Sequence, residues 1–575
     1  VVVATTALAA AVFWAAPARA VDGSAPPQVA FVIPLTVPAT ESGLIDSSAL
    51  AAYTAPGGLL AERLDAAIDR PVTLAIDPMI IVSIRVLGSE APASAVSWLE
   101  RLRGVSNETF ALAFADADLT LALQSGSGGV PFPIGFDYAL VADRFSAAVE
   151  PATEATASPN PTSTADADSS TNSTVPSLTT LLEWPYALSA VAWPVVDTVT
   201  TPDLAALVAG ETAVTLLADS NMEIPAQAGS ATTVNGSSAT VIDSSVSEAL
   251  QGTIDAQSVD AWQQSLQTLT TEIAAESARQ SGPQPTMVAT LDRTAPEAGA
   301  RLAETLEAIG AQASIALVPL STVLAAPATS ADLVESPQPA NRLAVARSLI
   351  SEEQFDAQFA TIVDNPSTIT AERRNRLLAL LSADWVSNAT EWSFAARTFA
   401  ADSVGLRSSV QIVDVSNINF FTDRQSIQIP VSNRLDVPVR VLVTVTAQRP
   451  LLFIEQSPIE LVIEPRSQKN APIPVQSVSN GTVQLTVTLA SPTGVPIGAP
   501  NRVSVNVQAG WETPVVTAAG LAHSSPLAPS CLACSVSSAR WCWRTRLALS
   551  GRGRMRSLSP INCQTTFMRS SLVAF

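Results

Sequence analysis

The chain has 575 residues, 47% of them hydrophobic, and a formal net charge of −20. That length predicts roughly three or four domains, and the hydrophobic share excludes a globally disordered chain. The acidity, with an isoelectric point near 4.5, argues against nucleic acid and anionic lipid as partners of the main body.

The missing residue types exclude more. The single histidine is His523, the single lysine is Lys469, and the four cysteines are Cys531, Cys534, Cys542 and Cys563. Residues 1–510 therefore hold neither imidazole nor thiol. A Ser-His-Asp or Cys-His nucleophile cannot be assembled there, nor can an ordinary zinc site. Schiff-base and phosphate-loop lysines are also excluded from the first 468 residues. Carboxylate catalysis and binding of a hard cation by oxygen ligands stay open. No catalytic residue, metal site or cofactor is assigned.

In chain order, an apolar run from Val1 to Trp14 ends at Ala18-Arg-Ala20. The small-x-small pattern of Ala18 and Ala20 marks residues 1–20 as a signal peptide, although the basic start is missing. A membrane anchor is the alternative, but so short a run spans a bilayer poorly. The expected location is exported and extracytoplasmic.

Residues 26–335 alternate strand-like and helix-like runs. Strands are expected at 29–33, 71–76, 110–114, 178–183, 213–218, 239–242, 287–291 and 313–319. Helical spacing joins Leu59, Leu60, Leu64 and Ile68, then the run from Pro78 to Leu87, then Trp98, Leu99 and Leu102, and later Trp262, Leu266, Leu269 and Ile273. This alternation predicts an α/β domain with a parallel sheet, open or barrel-like. Residues 151–178, almost purely Ser, Thr, Ala, Pro, Asp and Asn, read as a disordered insertion.

Residues 340–407 follow a helical period, with core stripes of Leu377, Leu378, Leu381 and Trp385, and of Trp392, Ala396 and Phe399. From 409 to 510 the period becomes two. Val437 to Val445, Val483 to Leu489 and Val503 to Val507 alternate strictly, which predicts a β-sandwich of immunoglobulin type. Residues 512–575 change composition abruptly, with arginines and no acid after Glu512. The Cys531-x-x-Cys534 pair could belong to a metal or redox knuckle, the arginines to a basic tail. The segment as a whole reads as irregular, either disordered or translated out of frame.

The order of these parts, with Val-Thr-Leu-Ala-Ile-Asp-Pro at 72–78, Ala-Phe-Ala-Asp-Ala-Asp-Leu at 113–119, Glu183-Trp-Pro185, Ala192-Trp-Pro194 and Gly510-Trp-Glu512, resembles the domain of unknown function 6049 family of actinobacteria over roughly residues 25–512. The resemblance implies an uncharacterised envelope protein, secreted or membrane-anchored, often encoded near a peptidoglycan-precursor flippase. It also implies a transmembrane helix soon after Trp511, where this sequence instead has Pro, Ser and Cys.

Asp77, Asp116, Asp219 and Asp292 each follow a predicted strand, where parallel α/β folds build ligand sites. Asp118, Glu183, Trp184 and Tyr186 would join them, the aromatics as platforms for a sugar ring. Such aspartates are also favoured helix N-caps. A distant analogy to glycosidases and polysaccharide deacetylases extends to fold alone. Two functions follow: a non-catalytic envelope scaffold whose partner is a membrane protein or cell-wall glycan, or a metal-free glycoside hydrolase or carbohydrate-binding protein.

Overall fold

The computed structural model describes residues 25–145, 175–282, 284–294, 299–414 and 417–508. The signal-peptide reading at Ala18 and Ala20, most of the 151–178 insertion and the tail from 512 fall outside them. The chain divides into two units, Val1–Gly510 and Trp511–Phe575; all described residues belong to the first.

β1 (Gln28–Leu35) is apolar and buried at every position after Gln28, as a strand covered on both faces must be. α1 (Ser47–Thr54) and α2 (Leu59–Ala67) follow, then β2 (Thr73–Ile76) and α3 (Pro78–Leu87). Asp77 caps α3 and Pro78 holds its first position, where the missing N–H costs nothing. α4 (Ala93–Arg103), β3 (Glu108–Ala111) and α5 (Leu119–Gln124) complete the first half. The second half runs α6 (Leu178–Leu182), β4 (Val191–Ala192), α7 (Thr201–Ala209), β5 (Val214–Ala218), β6 (Met222–Glu223), β7 (Ala231–Val234), β8 (Ser237–Ile242) and α8 (Ser244–Ile254). It ends with α9 (Val259–Arg279), β9 (Thr286–Thr290), α10 (Leu302–Gly310), β10 (Ala316–Leu317), α11 (Leu320–Leu324) and β11 (Thr329–Leu333).

Two sheets result, the first wholly parallel and the second mixed. β1 pairs in parallel with β2, β9 and β10, and β2 with β3. β4, β5 and β8 pair in parallel in the second sheet. Backbone bonds from Leu188 N to Thr109 O (2.9 Å) and from Asp243 N to Val288 O (2.8 Å) link the sheets on two sides. One face of these strands supplies a shared apolar cluster: Ala30, Val32, Ala75, Phe110, Leu216, Ile242 and Val288. The opposite residues, among them Phe31, Ile33, Leu74 and Ile76, pack with the helices, the two-sided burial that period-two alternation demands.

Four expectations need correction. Leu178–Glu183 is not a strand; Ser177 Oγ accepts from Thr180 N at 3.2 Å and starts α6, so local capping overrides an apolar run too short to specify its type. The strand expected at 313–319 contracts to Ala316–Leu317, and that at 110–114 ends at Ala111, because Phe114–Asp116 close a 3₁₀ turn. Finally, β7 and β8 form an antiparallel hairpin in a sheet expected to be parallel. Asn235 and Gly236 turn it at φ 52° and 81°, the conformation a two-residue hairpin requires.

α12 (Ala340–Phe359), α13 (Ser367–Leu380) and α14 (Ala389–Arg407) follow. Leu377, Leu378, Leu381, Trp385, Trp392 and Phe399 are buried in the cluster that also takes the helix-facing side of β1 and β2. These helices lie across the loops that leave β1 and β3. Ala39 N donates to Asp384 Oδ2 (2.7 Å) and Asp118 N to Leu381 O (2.7 Å).

After β12 (Val410–Ile412) the chain forms β13 (Ile418–Phe420), β14 (Arg424–Asn433), β15 (Val439–Ala447), β16 (Leu452–Ile454), β17 (Ile459–Ile463), β18 (Ser467–Ser477), β19 (Gly481–Ala490) and β20 (Pro496–Val507). They make two curled sheets ordered β12-β14-β18-β16 and β13-β20-β19-β15-β17, antiparallel apart from the β13–β20 pair. Val439, Val441, Val443 and Val445 meet Ile427, Ile429 and Val431 in one core. Phe359, Ile362 and Val363, at the end of α12 and beyond it, enter the same core. Among the described residues no helix is long and apolar enough to cross a membrane.

Candidate functional site

The strand ends bring two of the predicted aspartates together. Asp77, 1% exposed, follows β2. Its Oδ1 accepts from Met79 N at 2.8 Å, the cap of α3, and from Ala115 N at 2.9 Å. Burial pushes its carboxyl well above the usual range; the Met79 N–H pulls the other way, and the charge of Asp116 adds to the rise.

Asp116 sits in the turn after β3. Ala115 and Asp116 both take left-handed backbone, φ 59° and 46°, which costs free energy for residues with a β-carbon. The Asp116 carboxylate pairs with the Arg293 guanidinium, both side chains being nearly inaccessible. Arg293 also donates to Trp193 O and lies 4.8 Å from the centre of the Trp193 ring. Burial pushes Asp116 up to about 6, against the pull of Arg293. Its Oδ2 is buried with no hydrogen-bond partner among the described residues, and so is the Tyr186 hydroxyl. Burial, then the charge of Asp77, holds that hydroxyl above the usual phenol range.

Asp118, fully buried, is both a cap and a clasp. Oδ1 accepts from Leu121 N (3.0 Å) and Thr120 Oγ1 (2.9 Å) at the start of α5. Oδ2 accepts from Gln338 Nε2 (2.7 Å) and Arg342 Nη2 (3.3 Å), at and just before α12. Asp292 is exposed and closes a local turn through Thr294 N and Oγ1, both 2.8 Å. Asp219 accepts from Ser244 at the start of α8.

Glu183 and Trp184 belong to a different set of residues. They line a cleft of about 700 Å³ with Arg85, Arg103, Phe145 and Thr180. Trp184 is packed rather than presented: it is 8% exposed, and the guanidiniums of Arg85 and Arg103 each lie 5.7 Å from its ring centre. That burial argues against a free sugar platform.

Sequence reasoning missed Arg293, Trp193, Arg342, Gln338 and Asp384. Trp193 had a local cue in the Ala192-Trp-Pro194 motif. The others act across more than a hundred residues of chain, and no short-range pattern encodes such pairs. Among the described residues no group of three or more His, Cys, Asp or Glu could hold a metal ion.

Among solved structures, the trypsin-activated alpha-2-macroglobulin from Escherichia coli is 18% identical with a TM-score of 0.15, covering 18% of this chain and 7% of its own. The YadV chaperone is 12% identical at a TM-score of 0.14, over 18% of this chain and 52% of that one. WR4, a C. elegans MSP family member, is 10% identical at a TM-score of 0.14, over 18% and 98%. The chain thus spans only a small fraction of the macroglobulin's length. No curated protein matches. The sequence profile that does match, over residues 9–522, is that of DUF6049, a family of unknown function, and the chain belongs to this family.

Proposed function

We propose that the chain is a non-catalytic, exported envelope protein that braces or binds a partner in cell-wall assembly. The observation that carries this reading is how the strand-end carboxylates are used. Asp77 serves Met79 N and Ala115 N, Asp116 serves Arg293, and Asp118 serves Gln338 and Arg342. All three are at most 4% exposed. A glycosidase needs two carboxyl groups facing an open cleft, one to protonate and one to attack or activate water. Here α12–α14 lie over the loops in which such a cleft would open. In this reading the two linked sheets, the first parallel and the second mixed, are the wall of one α/β barrel distantly akin to glycosidases and deacetylases, and the C-terminal sheets are an immunoglobulin-like sandwich. The apolar start ending at Ala18-Arg-Ala20 supports export.

One observation favours the rival, a metal-free glycoside hydrolase. Asp116 combines left-handed backbone, a carboxyl held near 6 and an unpartnered buried oxygen, features that gather at functional sites. Incubation with peptidoglycan and arabinogalactan fragments separates the two. The scaffold reading expects no new reducing ends. Release of reducing ends that disappears in Asp77→Asn or Asp116→Asn would overturn it.

A further inference from the structure

We infer that the cleft beside Trp184 is an oxyanion site, which takes the carboxylate or phosphate group of an acidic saccharide between Arg85 and Arg103. Two cations converge there on one aromatic ring, although the protein as a whole carries a net charge of −20. The nearby arginines Arg101 and Arg144 each have a carboxylate partner. Arg85 and Arg103 have none among the described residues.

Arg85 is built in from below. Its Nη1 donates to the carbonyls of Thr180, Leu181 and Glu183 at 3.0, 2.9 and 2.7 Å, which fixes the guanidinium plane. Its Nε and Nη2 have no protein acceptor among the described residues. Arg103, at the end of α4, is exposed; its guanidinium is placed by the Trp184 face and has no protein acceptor among the described residues. Stacking on an indole orients a guanidinium without consuming its N–H groups. Two such groups side by side repel, and the charge of Arg103 is, after burial, what most lowers the basicity of Arg85. A bridging oxyanion removes that repulsion and satisfies the idle donors. Glu183 lines the same cleft but is exposed and pairs with neither arginine among the described residues, so it opposes the anion without replacing it. The volume of about 700 Å³ suits a ligand of one or two sugar rings.

This inference rests on reading the chain as a binding protein, yet the two fail separately, because reducing-end release would overturn that reading without emptying this cleft. The test is isothermal titration of the full chain with glucuronate, glucose 1-phosphate and glucose. Saturable binding of either acid but not of glucose is expected, and which acid binds tells carboxylate from phosphate. Arg103→Gln weakens that binding by about ten-fold or more, the loss of one charge-assisted contact, and Glu183→Gln tightens it. Absence of binding by both acids, equal binding of glucose, or binding unchanged in Arg103→Gln would each overturn the proposal.

Discussion

Between β12 and β20 the ion pairs Arg424–Glu455, Arg440–Glu460 and Arg466–Asp436 lie at the surface, while among the described residues of this region no charged side chain is buried. Up to Arg407 the chain has surface pairs as well, but it also takes charge inside. Asp356 of α12, fully buried, accepts from Arg373 Nε (2.8 Å) and Ser403 Oγ (2.7 Å) on one oxygen and from Arg407 Nη1 (2.8 Å) on the other. It thereby ties α12, α13 and α14 together, as Asp118 ties α5 to α12 and Arg293 ties Asp116 to Trp193. The difference teaches that two halves of one polypeptide achieve a unique structure by different means. Alternating strands fix their own register through which side chains are buried. Helices packed over loops can slide, and a directional buried pair penalises every misplacement by leaving a charge unpaired.

Breaking the buried tie gives the largest effect. Asp356→Ala leaves the buried Arg373 guanidinium without a carboxylate partner and Arg407 with Glu352 alone, and is expected to cost about 3 kcal/mol or more, read from denaturant unfolding. A cost no greater than that of an average surface substitution would dissolve the contrast.

A smaller effect sharpens it through pH. Burial pushes Asp243, the cap of α8, up to about 6 in spite of its bond from Val246 N. The unfolded chain releases that proton near the ordinary value of 3.8, so the native state holds more protons between the two values. The stability Asp243 adds is complete below about 3.8 and is lost as pH rises through about 6. Asp243→Asn keeps the cap and should flatten the stability profile in that window. A profile identical to the parent's would show that this carboxyl titrates normally.

The least effect is expected at the surface. Arg466→Ala removes an exposed pair and should leave the unfolding midpoint of the chain unchanged, since exposed pairs contribute little.

The same division decides what the sequence made legible. Val439 to Val445 announced their strand because burial there follows a period of two. Asp77-Pro78 announced the start of α3 because capping is local. At 178–183 two local cues conflicted: Leu-Thr-Thr-Leu-Leu suits a strand, while Ser177 suits a helix cap, and the cap prevailed. Asn235-Gly236 was a readable hairpin turn that went unread. Of the candidate site, Asp77 and Asp116 were placed correctly at strand ends, but their partners were not foreseeable. Arg293 meets Asp116 across 177 residues, a distance over which only the finished fold brings groups together. Trp184 was read as an open aromatic surface, but it packs in the main apolar core, with Arg85 of α3 and Arg103 of α4 flanking its ring.

The clasp of Ala39 by Asp384 spans 345 residues, and Asp118 reaches Gln338 and Arg342 across 220 and 224. Contacts of such separation form late, because the loop entropy of the intervening chain is lost before they return any stabilisation. The first strands to emerge during synthesis therefore wait for α12–α14 before their loops can settle. Any interruption between β11 and α14 should yield a collapsed species with apolar surface at the ends of β1 and β3, the kind of intermediate that aggregates or recruits a chaperone.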